Sequence, residues 1–242
     1  MTHIINPAEL DLDEIEEIEK QCLRSLFQAA VDFRADPYAI FKLSTDEAEN
    51  VAEDITREFM DRLGCYQIFQ QRILGKVDYR KARYIVLPNL AVRQALFLDS
   101  KAIKSSTDAR LEMTQLSLRV LYDNRGVIID QPGHLPTIYN HDGLDYLVTT
   151  QLAHYDYRDN AEGKHILQGL TLAAIPSGLL QERYNPNAQE NIWKASPHST
   201  KLQERGRIRL SFAKLKALAG WRVQSIRYVD DGASISHEWS EG

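Results

Sequence analysis

Cysteine is scarce: only Cys22 and Cys65 occur in 242 residues. Neither has a CxxC partner or a histidine at metal-ligand spacing, which excludes a disulfide framework and a thiolate metal site as organising devices. Both fall in helix-like segments, where buried free thiols in a reducing cytoplasm are the expectation. No apolar run approaches the roughly 20 residues that span a bilayer, and Met1-Thr2-His3-Ile4-Ile5-Asn6 lacks a basic stretch followed by an apolar one. A soluble, unexported protein with no membrane partner is expected. His134, His141, His154, His165 and His198 show no HxH or HExxH spacing, which argues against zinc. The chain has no GxGxxG after a strand, no GxxxxGK[ST] and no GxSxG, so dinucleotide, P-loop and serine-hydrolase chemistries are set aside.

Positive charge is also in deficit, with a formal net charge of -5. Taken alone this counts against an anionic partner, but the distribution is polarised. Residues 11–20 carry Asp11, Asp13, Glu14, Glu16, Glu17 and Glu19, whereas 201–227 carry Lys201, Arg205, Arg207, Arg209, Lys214, Lys216, Arg222 and Arg227. An apolar fraction of 43% and a charged fraction of 26% match ordinary folded proteins. With no repeat, linker or low-complexity tract, one α/β or α+β domain over 1–242 is expected.

Ile15, Ile18, Cys22, Leu26, Ala29 and Phe33 recur at three- and four-residue steps, which predicts an amphipathic helix over about 13–33. Ser44-Thr45-Asp46-Glu47 reads as a capping box ahead of Ala48, Val51, Ile55, Phe59 and Leu63, with Gly64 to stop a second helix. From residue 76 the texture changes to short apolar runs: 83–87, 95–98, 118–122 and 127–129, the last two joined by a turn at Asp123-Asn124-Arg125-Gly126. Strands are also predicted over 147–157, 165–175, 207–212 and 222–229, with short helices over 178–183 and 213–219 and a loop over 185–205. Tyr155-Asp156-Tyr157 reads as sheet surface or interface.

The segment richest in chemistry runs from Val77-Asp78-Tyr79 through Pro88-Asn89 to Leu98-Asp99-Ser100-Lys101. A hairpin turning at Pro88-Asn89 would make Asp78 and Asp99 cross-strand neighbours with Cβ atoms about 4.5–5.5 Å apart. Two carboxylates that close repel unless a cation lies between them, and Mg²⁺, which takes one or two carboxylates plus water and phosphate oxygens, resolves the repulsion. Lys101, two residues past Asp99, shares its face of the strand and is placed to orient water or stabilise charge on phosphorus. The competing reading is surface charge at strand ends. Glu53, on the capped helix, is a further candidate metal ligand, with a solvent-facing acid as its alternative.

In Arg207-Ile208-Arg209-Leu210-Ser211-Phe212, strand alternation puts Arg207 and Arg209 on one face and Ile208, Leu210 and Phe212 on the other. Arginine forks pair bidentately with guanine O6 and N7, so this face fits a major groove; a solvated sheet edge is the alternative. Lys194, Lys201, Lys104, Asp108 and Arg110 are candidates for DNA contacts, or else solvated loop charges.

Several ordered anchors resemble the SfiI-type restriction endonucleases, and more distantly the BglI type, within the PD-(D/E)xK nuclease superfamily. They are Leu12-Asp13-Glu14-Ile15, Glu19-Lys20-Gln21, Ala52-Glu53-Asp54-Ile55-Thr56, Val77-Asp78-Tyr79, Leu98-Asp99-Ser100-Lys101-Ala102, Arg183-Tyr184-Asn185-Pro186, Arg207-Ile208-Arg209 and Trp221-Arg222. The resemblance implies a mixed β-sheet flanked by helices and Mg²⁺-dependent cleavage of double-stranded DNA at an interrupted, GC-rich palindrome, leaving 5′-phosphate and 3′-hydroxyl ends. It implies Asp78, Asp99 and Lys101 as catalytic, with Asp78, Asp99 and the Ser100 backbone carbonyl as metal ligands. Arg207 and Arg209 would read guanines, and the assembly would be a homodimer or homotetramer. Val77 stands where the superfamily pattern has proline. A structure-specific repair nuclease and a non-cleaving DNA-binding protein are the alternatives.

Overall fold

Three helices open the chain in the computed structural model, which describes residues 5–62, 82–87, 92–104, 108–194, 207–229, 232 and 234–242, with backbone alone at 60, 62, 82–87 and 207. Helix α1 (Leu12–Asp32) buries Ile15, Ile18, Cys22, Leu26 and Ala29 as its periodicity predicts. The capping box forms here and not at 44–47: Asp11 accepts from the Asp13 and Glu14 N–H groups, and Glu14 accepts from the Asp11 N–H. Helix α2 (Ala35–Leu43) was not anticipated; it buries only Pro37 and Phe41, too short a stripe to register as a period. Ser44 closes α2, donating its N–H to the Ile40 carbonyl at 2.9 Å, while its hydroxyl accepts from the Asp46 N–H at 3.1 Å. Helix α3 (Ala48–Arg62) follows, with Ala48, Val51, Ile55 and Phe59 buried.

Among the described residues twelve strands follow: β1 (Ala82–Leu87), β2 (Val92–Lys104), β3 (Asp108–Glu112), β4 (Val120–Asn124), β5 (Val127–Gln131), β6 (Ile138–His141), β7 (Leu144–Asp159), β8 (His165–Ile175), β9 (Trp193–Lys194), β10 (Arg207–Ser211), β11 (Val223–Val229) and β12 (Ser234–Glu238). Two short helices, α4 (Gln181–Tyr184) and α5 (Phe212–Leu218), lie among them. A seven-stranded sheet has the order β1-β2-β7-β8-β11-β12 with β6 also on β7; β2 and β7 run parallel and the remaining pairs are antiparallel. A second sheet has the order β3-β10-β9, and β4 and β5 form a separate hairpin. Arg125 and Gly126, at φ 56° and 85°, give that hairpin the left-handed pair its tight turn requires.

The large sheet is covered on both faces, which explains why its central strands read as continuous apolar runs. Leu96, Leu98, Ala153, Tyr155 and Leu172 pack with α1, α2 and α3 on one side. Leu152, Ala173 and Val223 meet Ala109, Leu111, Ile208 and Leu210 of the small sheet on the other. Tyr155 is therefore core, not surface: it stacks on Phe41 and its hydroxyl shares a 2.8 Å hydrogen bond with Thr56. Cys22 is a buried free thiol donating to Gln94 at 2.9 Å; Cys65 lies outside the described residues. Among the described residues no helix is long and apolar enough to cross a membrane.

Candidate active site

Asp99 and Lys101 stand in the second half of β2, beyond the part paired with β1. Asp99 is 2% exposed, and its Oδ2 lies 2.9 Å from the Lys101 Nζ, whose side chain is 18% exposed. A charged carboxylate is tolerated at that depth because an opposite charge is held against it. The arrangement sets a buried acid against an ammonium group that reaches toward the surface above it. Ser100 alternates to the helix side of the sheet, so its backbone alone can serve the acid–lysine face.

Asp78 lies outside the described residues. The hairpin itself differs from the expected one: Leu87 pairs with Val92, which centres the connection between Asn89 and Leu90, one residue later than direct opposition of 78 and 99 required. Among the described residues, no three His, Cys, Asp or Glu side chains form a metal cluster.

The small sheet faces outward with charge. Arg209 on the central β10 pairs across to Arg110 of β3 and to Lys194 of β9, a row of three cations. Like charges directly opposed on a sheet repel, and an anion laid across the row relieves the repulsion. Asp108 offsets one of them, its Oδ2 reaching the Lys194 Nζ at 2.5 Å across β10. Beneath, Ala109, Leu111, Trp193, Ile208 and Leu210 are buried, as alternation predicts. Arg207 pairs with Glu112 in the strand register, and Lys201 lies outside the described residues.

One cavity of about 390 Å³ joins the two halves: Lys101 and Arg209 both line it, with Asp108, Arg110, Glu112 and Glu49. Glu49 was missed in the sequence, although it precedes Glu53 by one helical turn on α3. Glu53 is half-buried on α3, which packs against β2. Lys104 is not part of this lining; it pairs with Asp159 at 2.6 Å, which raises its pKa. Two residues of the basic C-terminal cluster are structural. Lys214 donates to Asn191 Oδ1 and the Trp193 carbonyl, and Arg222 is fully buried.

His154 of β7 is the parallel register partner of Lys101 and is 1% exposed. Burial pushes its pKa from 6.5 down to about 4, against a smaller opposing pull from Asp108. The folded ring is therefore neutral where the unfolded ring binds a proton, so stability is lost as pH falls from 6.5 toward 4. The full loss is about 3 kcal/mol. Urea midpoints measured across that window should fall with acid, and His154→Phe should flatten the dependence.

A buried acid–lysine pair lies on β2 beside a basic sheet face, and comparison with known proteins fixes the class as a type II site-specific deoxyribonuclease. The family model described as type II restriction enzyme SfiI matches residues 14–226. The type II restriction enzyme SfiI of Streptomyces fimbriatus is 30% identical over 247 aligned positions, covering 96% of this chain and 91% of that protein. The crystal structure of tetrameric restriction endonuclease SfiI bound to cognate DNA superposes with a TM-score of 0.83 at 26% identity, covering 97% of this chain and 92% of the other. The DNA-bound restriction endonuclease BglI shares the fold at TM-score 0.71 and 16% identity, covering 88% of this chain and 91% of the other. The chain belongs to the SfiI family of type II restriction enzymes.

Proposed function

We propose that this enzyme cuts double-stranded DNA at a GC-rich interrupted palindrome, using Mg²⁺, as a homodimer or homotetramer built from a single 1–242 domain. The observation that carries the proposal is the shared cavity, in which the Asp99-paired Lys101 and Arg209 line one space. The hard oxygen of the deeply buried Asp99, together with the Asp78 carboxylate, the Ser100 carbonyl and a DNA phosphate, suits magnesium; Glu53 or Glu49 adds a further acid from α3. When bound, such an ion supplies charge that stabilises the phosphoryl transition state and lowers the pKa of the attacking water.

The chain's own groups do the rest. Lys101 orients the water and balances charge on the scissile phosphate, while Asp99 holds the ammonium in place. Water adds to phosphorus in line, the P–O3′ bond breaks, and the 3′ oxygen takes a proton, giving 5′-phosphate and 3′-hydroxyl ends. Arg207 and Arg209 read guanine edges; Arg110, Lys194 and Lys201 engage phosphates, and Asp108 holds Lys194 or accepts from a cytosine amino group. A palindrome requires two symmetric copies.

Competition with Mg²⁺ between a linear duplex carrying the site and a four-way junction tests this reading. The linear duplex should be cut first, and Arg209→Ala should reduce discrimination by about 1–3 kcal/mol per guanine. Preference for the junction would support a repair nuclease, and absence of any cutting would support a DNA-binding protein.

A further inference from the structure

His154 occupies a place that the reaction above does not use. Its strand lies against the strand of Asp99 and Lys101, in parallel register, with Leu152 opposite Asp99 and His154 opposite Lys101. Register partners on neighbouring strands stand about 4.8 Å apart with side chains to the same face. Leu152 belongs to the core shared with the small sheet, and the His154 ring meets Phe212 edge-on, with centroids 5.3 Å apart. Phe212 directly follows Ser211, the last residue of β10, and begins α5. The imidazole Nε2 is buried with no hydrogen-bond partner among the described residues. A core position with an unsatisfied ring nitrogen is a costly choice where an apolar side chain of the same size would pack as well.

We infer that His154 is a positioning residue for cleavage: its buried ring, wedged between the Lys101 strand and Phe212 at the end of β10, fixes where the lysine stands relative to the strand that faces DNA. The inference rests on the nuclease reading of Asp99 and Lys101. The groups around the ring are its register partner Lys101 from β2, Asp108 from β3 and Phe212 from α5. The aromatic contact carries position along this path. Seating β10 on a DNA groove loads Phe212, and the ring passes that constraint to the strand of the catalytic pair.

The test is single-turnover cleavage, with Mg²⁺, of a duplex carrying the site mapped from the wild-type digest, beside affinity for the same duplex with Ca²⁺ replacing Mg²⁺. His154→Ala should slow cleavage about 10- to 100-fold, the scale of an ångström-level misplacement, with affinity unchanged to within about threefold. His154→Phe, which keeps the ring against Phe212, should return the rate to within about threefold of wild type, whereas His154→Gln should not. Cleavage by His154→Ala at the wild-type rate overturns the inference, as does rate and affinity falling together. Rescue by glutamine but not phenylalanine also overturns it, because the ring nitrogen would then be the working part. If the alanine variant does not fold, the phenylalanine and glutamine variants decide alone. A wild-type protein that does not cut with Mg²⁺ refutes the nuclease reading itself; a cutting wild type matched by all three variants refutes only the role of His154.

Discussion

Replacing Lys101 with alanine is expected to reduce single-turnover cleavage about 100- to 1000-fold, the usual effect of deleting one positioned donor from a charge-stabilising site. DNA affinity measured with Ca²⁺ should change little. The two effects separate because the lysine belongs to β2, held 2.9 Å from Asp99, whereas the cationic row Arg110–Arg209–Lys194 lies on the small sheet. A variant that binds poorly but cuts normally once saturated would place Lys101 in DNA contact and remove it from the chemistry.

The second large effect concerns stability. Arg222 is 0% exposed, its Nη1 lies 2.7 Å from Oε2 of the 2%-exposed Glu19, and its guanidinium sits over the Tyr184 and Trp221 rings at 4.2 and 4.3 Å. Glu19 Oε1 also accepts the Ser177 N–H at 2.7 Å, so this pair ties α1 to the start of β11 and to the turn after β8. Arg222→Met should lower unfolding free energy by about 3–5 kcal/mol, because it leaves a buried carboxylate uncompensated. Burial already raises the Glu19 pKa, and Arg222 is the largest influence opposing that rise. The double variant Glu19→Gln, Arg222→Met should lose less than the two single losses combined, which urea unfolding of all four proteins measures. Strict additivity would show that the pair is not coupled.

The same pair explains where the sequence misleads. The acidic start and basic end of the chain suggest a polarised surface, yet Arg222 turns inward to the acidic helix, and the exposed Arg183 pairs with the same helix at the surface. Arg183 meets Asp13 at 2.7 Å and Glu16 at 3.1 Å, and Arg222 meets Glu19. Charge runs are legible in a sequence, but whether two of them neutralise each other depends on tertiary contact. Helices α1 and α3 were legible from their apolar periods, and β8 from its bounding turn residues, because those signals are local. Strands β3, β6, β9 and β12 were not, since pairing with distant segments decides them and their own residues are mixed.

At the site, the pairing of Asp99 with Lys101 follows from a period of two along one strand, and the buried Ile208 and Leu210 beneath Arg209 follow from the same rule. Glu49 and His154 were not legible. Glu49 lines the cavity through the packing of α3 on β2, and His154 stands beside Lys101 through the pairing of β7 with β2; no spacing in the chain encodes either adjacency.

The most direct measurement is a digest of several unrelated plasmids with and without Mg²⁺, followed by sequencing of the fragment ends. Discrete fragments that appear only with the metal, and whose ends map to one interrupted palindrome with 5′-phosphates, are the expected result. Smears, ends scattered among unrelated sequences, or equal cutting in chelator would contradict the assignment.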